Sequence, residues 1–203
     1  MTKRDTKGLI LTEAFRLFAK HTYEQVTFNE LETATKLSRG AIMYHFKTKE
    51  LIFKSMCDRF LLKESSVLER LNAQISSDMT LKALIDLYIR VITDLKADYK
   101  EIGIGNMNKA LINITNQATY FYPNFEIKAM KWKVMQVQLW QSMLKKAAES
   151  KEIKADVDFE VVAELFEDTY CGIAYSGIIY PEGIDTAYLQ KALNFIYNSI
   201  KKG

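Results

Sequence analysis

Two prolines, Pro123 and Pro181, and eight glycines are all that can interrupt 203 residues, and that scarcity excludes most architectures. Proline removes a backbone donor and clashes with the preceding turn, and glycine costs about 1 kcal/mol in a helix interior. A chain poor in both keeps long helices intact. No run alternates apolar and polar residues at period two for long enough to predict a sheet. Ile10, Ala14, Leu17 and Phe18 instead stand at i, i+4, i+7 and i+8, one buried face of a helix. A hydrophobic content of 48% suits a substantial core. The expected fold class is all-α.

The segment Thr27–Lys49, TFNELETATKLSRGAIMYHFKTK, carries the densest local signals. Thr27 followed by Glu30 is a capping box, flanked by Val26 and Leu31 as a hydrophobic staple. Ser38 caps a second helix, with Leu37 and Ile42 as its staple, and Arg39 to Phe46 supply about two turns. Leu31, Ala34, Leu37, Ile42 and Phe46 close a small core against the preceding helix. With Leu37 and Ile42 inward, Arg39, Ala41, Tyr44 and His45 are left on the outer face. Two short helices joined by a tight turn, the second polar outside, form a helix-turn-helix that fits the major groove of duplex DNA.

Residues 10 to 52 resemble the N-terminal DNA-binding domain of the TetR family of bacterial transcriptional regulators. The matching landmarks are Ile10, Ala14, Leu17, Phe18, Tyr23, Thr27 and Leu31, then Leu37, Ser38, Gly40, His45, Phe46, Lys49 and Leu51, without a gap. The resemblance implies that Arg39 and Tyr44 read base edges, with Ala41 against a thymine methyl. An arginine bidentate to guanine is worth about 1–3 kcal/mol of discrimination. It also implies that Thr27, His45 and Lys49 hold phosphates, which set register without reading sequence, with Lys47 as an additional contact.

The chain departs from the family pattern at four places. Glu32 and Lys36 replace small residues at the helix crossing, and their i, i+4 spacing predicts a salt bridge over the turn. Met43 replaces an aromatic that commonly donates to a phosphate, and Thr22 replaces a helix-ending glycine. Charge supports the DNA reading. Residues 1–50 hold nine Lys and Arg against six Asp and Glu, leaving nineteen of each beyond, so the excess of +3 lies in this segment. Such an excess alone would mean only solubility; beside a helix-turn-helix it predicts salt-sensitive DNA binding. Lys3, Arg4 and Lys7 are further phosphate candidates.

The expected division is residues 1–49 as the three-helix DNA-binding domain and 50–203 as a larger helical ligand-binding and dimerisation domain. Its predicted helices run from Glu50 to Leu71, Leu81 to Tyr99, Asn106 to Thr119, Pro123 to Glu149, Phe159 to Ile179 and Thr186 to Ile200, with a Gly103/Gly105 hinge. The helix after Pro123 is apolar on two sides, Ile127, Met130, Val134, Val137 and Leu144 against Trp132, Met135, Leu139 and Met143. Such a helix is covered twice or lines a cavity.

The last two helices are expected to pair with their symmetry mates. The residues assigned to that interface are Val161, Leu165, Gly172, Ser176 and Ile179, with Leu189, Leu193, Ile196 and Ile200. Gly172, Ser176 and Gly177 would admit close approach, and Tyr188, Phe195 and Ser199 stand beside the second stripe. A homodimer places two recognition helices roughly 34–36 Å apart, one DNA turn, on a palindromic operator.

A ligand pocket is expected in the second domain, walled by Tyr88, Phe121, Trp132, Met135, Trp140 and Phe166. Its polar groups would be Asn113, Asn116, Gln117, Gln136 and Tyr170. Ordinary core is the competing reading for each of these residues.

Catalytic and metal constellations are missing from the sequence. His21 and His45 lack metal-ligand spacing, Cys57 and Cys171 lie far apart within helical patterns, and Glu164, Glu167 and Asp168 read as a solvated or partly paired face. No cofactor, no enzyme activity and no membrane partner is expected. No apolar leader precedes Glu13 and Arg16, so the expected location is the cytoplasm. The function expected is a dimeric DNA-binding regulator, a repressor released from its operator by a small apolar or aromatic effector. Alternatives are a regulator controlled by a protein partner, an activator, or a helical enzyme or cofactor-binding protein with an incidental helix-turn-helix.

Overall fold

A computed structural model describes residues 5–63 and 67–202; Lys3 and Arg4 lie outside them. Among the described residues ten α-helices carry the fold and there is no strand, only an isolated bridge between Ile153 and Lys201. Three helices form the N-terminal unit: α1 (Thr6–Phe18), α2 (Phe28–Thr35) and α3 (Arg39–His45). The larger bundle holds α4 (Lys49–Cys57), α5 (Val67–Asn72), α6 (Leu81–Glu101), α7 (Met107–Phe121), α8 (Phe125–Glu149), α9 (Phe159–Ser176) and α10 (Thr186–Ile200).

Side-chain caps set most of these starts. Asp5 caps α1 by accepting the Gly8 N–H at 2.8 Å. Thr27 and Glu30 close the expected capping box on α2, and Ser38 accepts the Ala41 N–H to start α3. Thr48, Thr80, Asn106, Asp158 and Asp185 do the same for α4, α6, α7, α9 and α10. A cap of this kind is typically worth about 1 kcal/mol.

The core of the N-terminal unit joins Ile10, Ala14, Phe18, Leu31 and Ile42, all fully buried, to Ile52, Phe53 and Met56 of α4. Phe18 and Tyr23 meet the Phe53 ring edge-on at 4.8 and 5.1 Å. Tyr23 also stacks on Phe121 of α7 at 4.2 Å. Helix α4 therefore belongs to both units, completing the first core while leading into the second. The bundle has its own aromatic core, in which Trp140 of α8 stacks on Phe166 of α9 at 4.7 Å and meets Tyr88 of α6 at 5.2 Å.

Among the described residues, the span Glu50 to Leu71 is not the uniform α-helix expected. Helix α4 widens after Cys57 into a π-helical turn, Asp58–Lys63, and α5 starts at Val67. Periodicity could not show this, because the cause is tertiary. The Asp58 carboxylate accepts from Tyr122 Oη at 2.5 Å and from Lys128 Nζ at 3.1 Å. The Phe60 and Leu62 carbonyls accept from Tyr99 Oη at 3.2 Å and Trp132 Nε1 at 2.8 Å. A π-turn redirects backbone carbonyls that an α-helix would use internally.

The glycine hinge is also a different object. Gly103, at φ 80°, stops α6 with its N–H on the Lys100 carbonyl, and Arg16 of α1 donates to the Ile102 carbonyl beside it. It is a pinned helix end.

Candidate nucleic-acid interface and linked cavity

Helix α3 is anchored by one fully buried side chain, Ile42, and presents most of the rest. Tyr44 is 78% exposed; Arg39, Met43 and His45 are exposed and Ala41 half-buried. Tyr44 and His45 meet edge-on at 5.2 Å. Arg39 is held back across the turn: its Nη2 donates to Asn29 Oδ1 at 2.6 Å, its Nε lies 3.4 Å from Glu32 Oε1, and its guanidinium sits over the Phe28 ring. The expected Glu32–Lys36 pair is thus replaced by Glu32–Arg39. Lys36 is the left-handed C-cap of α2, at φ 57°, so it has left the helical register that would bring it over Glu32.

Among the phosphate candidates, Thr27, His45 and Lys47 are exposed around the turn. Lys49 is half-buried. Its ammonium donates to the Tyr23 carbonyl at 2.9 Å and lies 4.2 Å from the Tyr23 ring centre, so in this structure it braces the α1–α2 loop.

A cavity of about 320 Å³ lies between the π-turn, α6, α7, α8 and α9. Phe60, Leu62, Leu111, Phe125 and Trp132 form much of its apolar wall, with Thr115, Lys133, Gln136 and Glu167 among the polar members. Glu167 is only 2% exposed, and its Oε2 has no hydrogen-bond partner among the described residues. Burial pushes its carboxyl up to about 7, opposed by the Cys171 thiol, the Lys133 charge and the Trp140 indole and reinforced by Asp168. A second, larger cavity of about 1050 Å³ lies at the α9–α10 turn, lined in part by Gly172, Ser176 and Tyr188.

Residues 10–56 match the family model for bacterial regulatory proteins of the tetR family. The N-terminal domain is of the TetR family. Over 47 residues the chain is 51% identical to the transcriptional repressor AcnR of Corynebacterium efficiens, covering 23% of this chain and 25% of that protein. The chain thus spans about a quarter of the length of the curated relatives it matches. The fold likeness extends further. The ketosteroid transcriptional regulator KstR2 of Mycobacterium tuberculosis aligns with 100% of this chain and 98% of its own, at a TM-score of 0.66 and 16% identity. NalD, the secondary repressor of the MexAB-OprM multidrug efflux pump in Pseudomonas aeruginosa, aligns over 97% and 96% at 0.69 and 17%. At such identities the likeness establishes the architecture, a TetR-type domain followed by a larger helical one.

Within that architecture the residues expected to form the pocket separate into three groups. Trp132, Gln136 and Tyr170 line the cavity. Tyr88, Trp140 and Phe166 are buried aromatic core, with Tyr88 meeting the Tyr170 ring edge-on at 5.5 Å. The remainder do not line the cavity. Asn113 and Gln117 sit one helical turn apart on α7 and donate to the Ala19 and Phe18 carbonyls at the end of α1; Phe121 stacks on Tyr23. Asn116 and Met135 are exposed. The polar stripe of α7 faces the N-terminal domain, while Met107 and Leu111 on its apolar stripe face the cavity.

The assigned interface residues divide as well. Val161, Leu165, Gly172, Ser176 and Ile179 are exposed on α9 and the 3₁₀ turn after it. Leu189, Leu193, Ile196 and Ile200 are buried in their own chain, where α10 packs on α6 and α9. The exposed stripe of α10 is the neighbouring one, with Tyr188 and Phe195, the latter 77% exposed. Gly177 serves its own chain too: a Cβ there would stand 2.7 Å from the Ile184 nitrogen.

Glu167 is the site residue that the sequence reading missed. Glu164 and Asp168 do form a solvated face, both paired with Lys133 at 3.5 and 3.4 Å. Glu167 instead shares the inward stripe of Ala163 and Tyr170, and an acid at that register was the available signal.

Proposed function

We propose that this protein is a homodimeric transcriptional regulator, a repressor rather than an enzyme, which releases its operator when a small molecule occupies the α6–α9 cavity. The observation that carries the reading is α3 of the TetR-type domain, buried through Ile42 and open through Arg39, Tyr44 and His45. In this reading Arg39, Ala41 and Tyr44 meet base edges, and Thr27, His45 and Lys47 meet phosphates. Lys49 holds the loop that carries Thr27 and contacts DNA only if it leaves the Tyr23 carbonyl. The DNA-binding unit is residues 1–49, with α4 completing its core. No helix of the described residues is long and apolar enough to cross a membrane; a regulator of this kind works in the cytoplasm, beside its DNA.

Dimerisation is supported by the apolar surface of α9 and α10. Val161, Leu165, Ile179, Tyr188 and Phe195 leave a face that a second copy would cover. Coupling is supported by α7, which touches the cavity on one side and holds α1 on the other. An effector preferring one setting of α7 shifts the spacing of the recognition helices, and a decisive shift takes about a 10⁴-fold preference between states.

Mobility shift on the DNA upstream of the protein's own gene, at two salt concentrations, tests this function. A specific shift weakened by salt and by Arg39→Ala or Tyr44→Ala is expected. A shift indifferent to both substitutions would remove α3 as the reader.

A further inference from the structure

The cavity wall holds one feature that ordinary packing does not explain. Glu167 lines it, is almost wholly buried, and has a carboxylate oxygen without a partner among the described residues. Its other oxygen accepts a weak bond from the Cys171 thiol at 3.8 Å, and the Trp140 indole also reaches the carboxyl. Leaving a buried acid unsatisfied costs several kcal/mol in principle, more if it is ionised. The cation on the same wall makes its ion pairs elsewhere: the Lys133 ammonium is turned to Glu164 and Asp168, and only its longer-range field reaches Glu167. Around this acid the lining is aromatic and aliphatic, including Phe60, Phe125, Trp132 and Tyr170. Aromatic faces attract cations and repel anions.

A buried acid, a lysine on the same wall already paired with two other acids, and aromatic walls together select one ligand chemistry. We propose that the effector is an apolar amine bound as its ammonium ion, with the positive end against Glu167 and the apolar body among Phe60, Phe125 and Trp132. The inference rests on the effector-responsive reading above and narrows it. A neutral apolar molecule would leave Glu167 unpaired, and a carboxylate would meet a like charge.

Three probes with one body test this in the full-length protein: 4-phenylbutylamine, 4-phenylbutan-1-ol and 4-phenylbutyrate, titrated at pH 8 by calorimetry. An alkylamine has a pKa near that of lysine, so it is cationic at this pH. The amine is expected to bind at least about tenfold tighter than the alcohol, a difference of about 1.4 kcal/mol, and the carboxylate to bind most weakly. Glu167→Gln should bring the amine to the level of the alcohol while leaving alcohol binding in place, which also shows that the variant folds. An alcohol or carboxylate that equals the amine in the wild type overturns the amine assignment but keeps the cavity as a ligand site. A preference for the amine that survives Glu167→Gln overturns the role of Glu167. Absence of binding by all three removes both the amine and the effector cavity.

Discussion

Two charged residues, Arg39 on α3 and Glu167 on α9, are treated in opposite ways by the same molecule. Arg39 is exposed yet fully occupied, bonded to Asn29 and paired with Glu32. Glu167 is buried yet has an oxygen with no partner among the described residues. In water the Arg39 contacts are weak and exchangeable, worth about 0–1 kcal/mol each, so DNA can replace them at little cost. In a buried position an unpaired carboxylate is costly, and the cost lasts until a polar partner, a ligand or a proton relieves it. Under the proposed function, the first arrangement would keep a reader oriented and the second would make the bundle sensitive to what enters it.

The largest effect should come from the element shared by the two regions. Phe53→Ala, deleting the α4 ring that Phe18 and Tyr23 pack against, is expected to lower stability by about 3–5 kcal/mol. Denaturant unfolding checks it, and a loss below about 1 kcal/mol would separate α4 from the DNA-binding core.

Next is the buried acid. The folded-state pKa of Glu167, about 7, lies above its ordinary 4.5. The protonated form is therefore favoured by folding: that stabilisation is full below pH 4.5 and lost as pH rises through 7. The loss is on the order of 3 kcal/mol at most. Wild-type Tm should fall between pH 5 and pH 8 relative to Glu167→Gln, with the variant the more stable at pH 8. Parallel Tm profiles would mean that Glu167 finds a compensating partner.

Arg39→Ala should cost about 1–3 kcal/mol of discrimination between operator and mismatched DNA, with thermal stability almost unchanged because the residue is exposed. The smallest effect belongs to Glu32→Gln. Releasing Arg39 from an exposed ion pair and removing a negative charge near the DNA should tighten binding about two- to threefold, within the range of exposed pairs. Weaker binding in this variant would show that Glu32 aims Arg39 rather than competing for it.

How much could be read in advance followed the range of the forces involved. The capping box at Thr27 and Glu30, the cap at Ser38 and the buried Ile42 are local, and all stand where the sequence places them. The Glu32–Lys36 pair failed because Lys36 adopts a left-handed conformation, which helical spacing does not encode. On α10 both candidate stripes are apolar, and only the position of α6 and α9 decides that Leu189 and Leu193 are core while Phe195 stays exposed. On α7 the polar residues were assigned to a cavity because nothing along the chain reveals that α1 ends beside them.

The order of its residues alone predicts an all-helical chain with a TetR-type helix-turn-helix domain at its start, because caps, staples and 3.6-residue periodicity act within a few residues of each other. Tertiary structure alone decided the π-helical turn after Cys57, the face of α7 that meets α1, the stripe of α10 left to solvent and the burial of Glu167. Each of these depends on groups dozens of residues apart competing for the same carbonyl or the same volume, and that competition is resolved only when the helices pack.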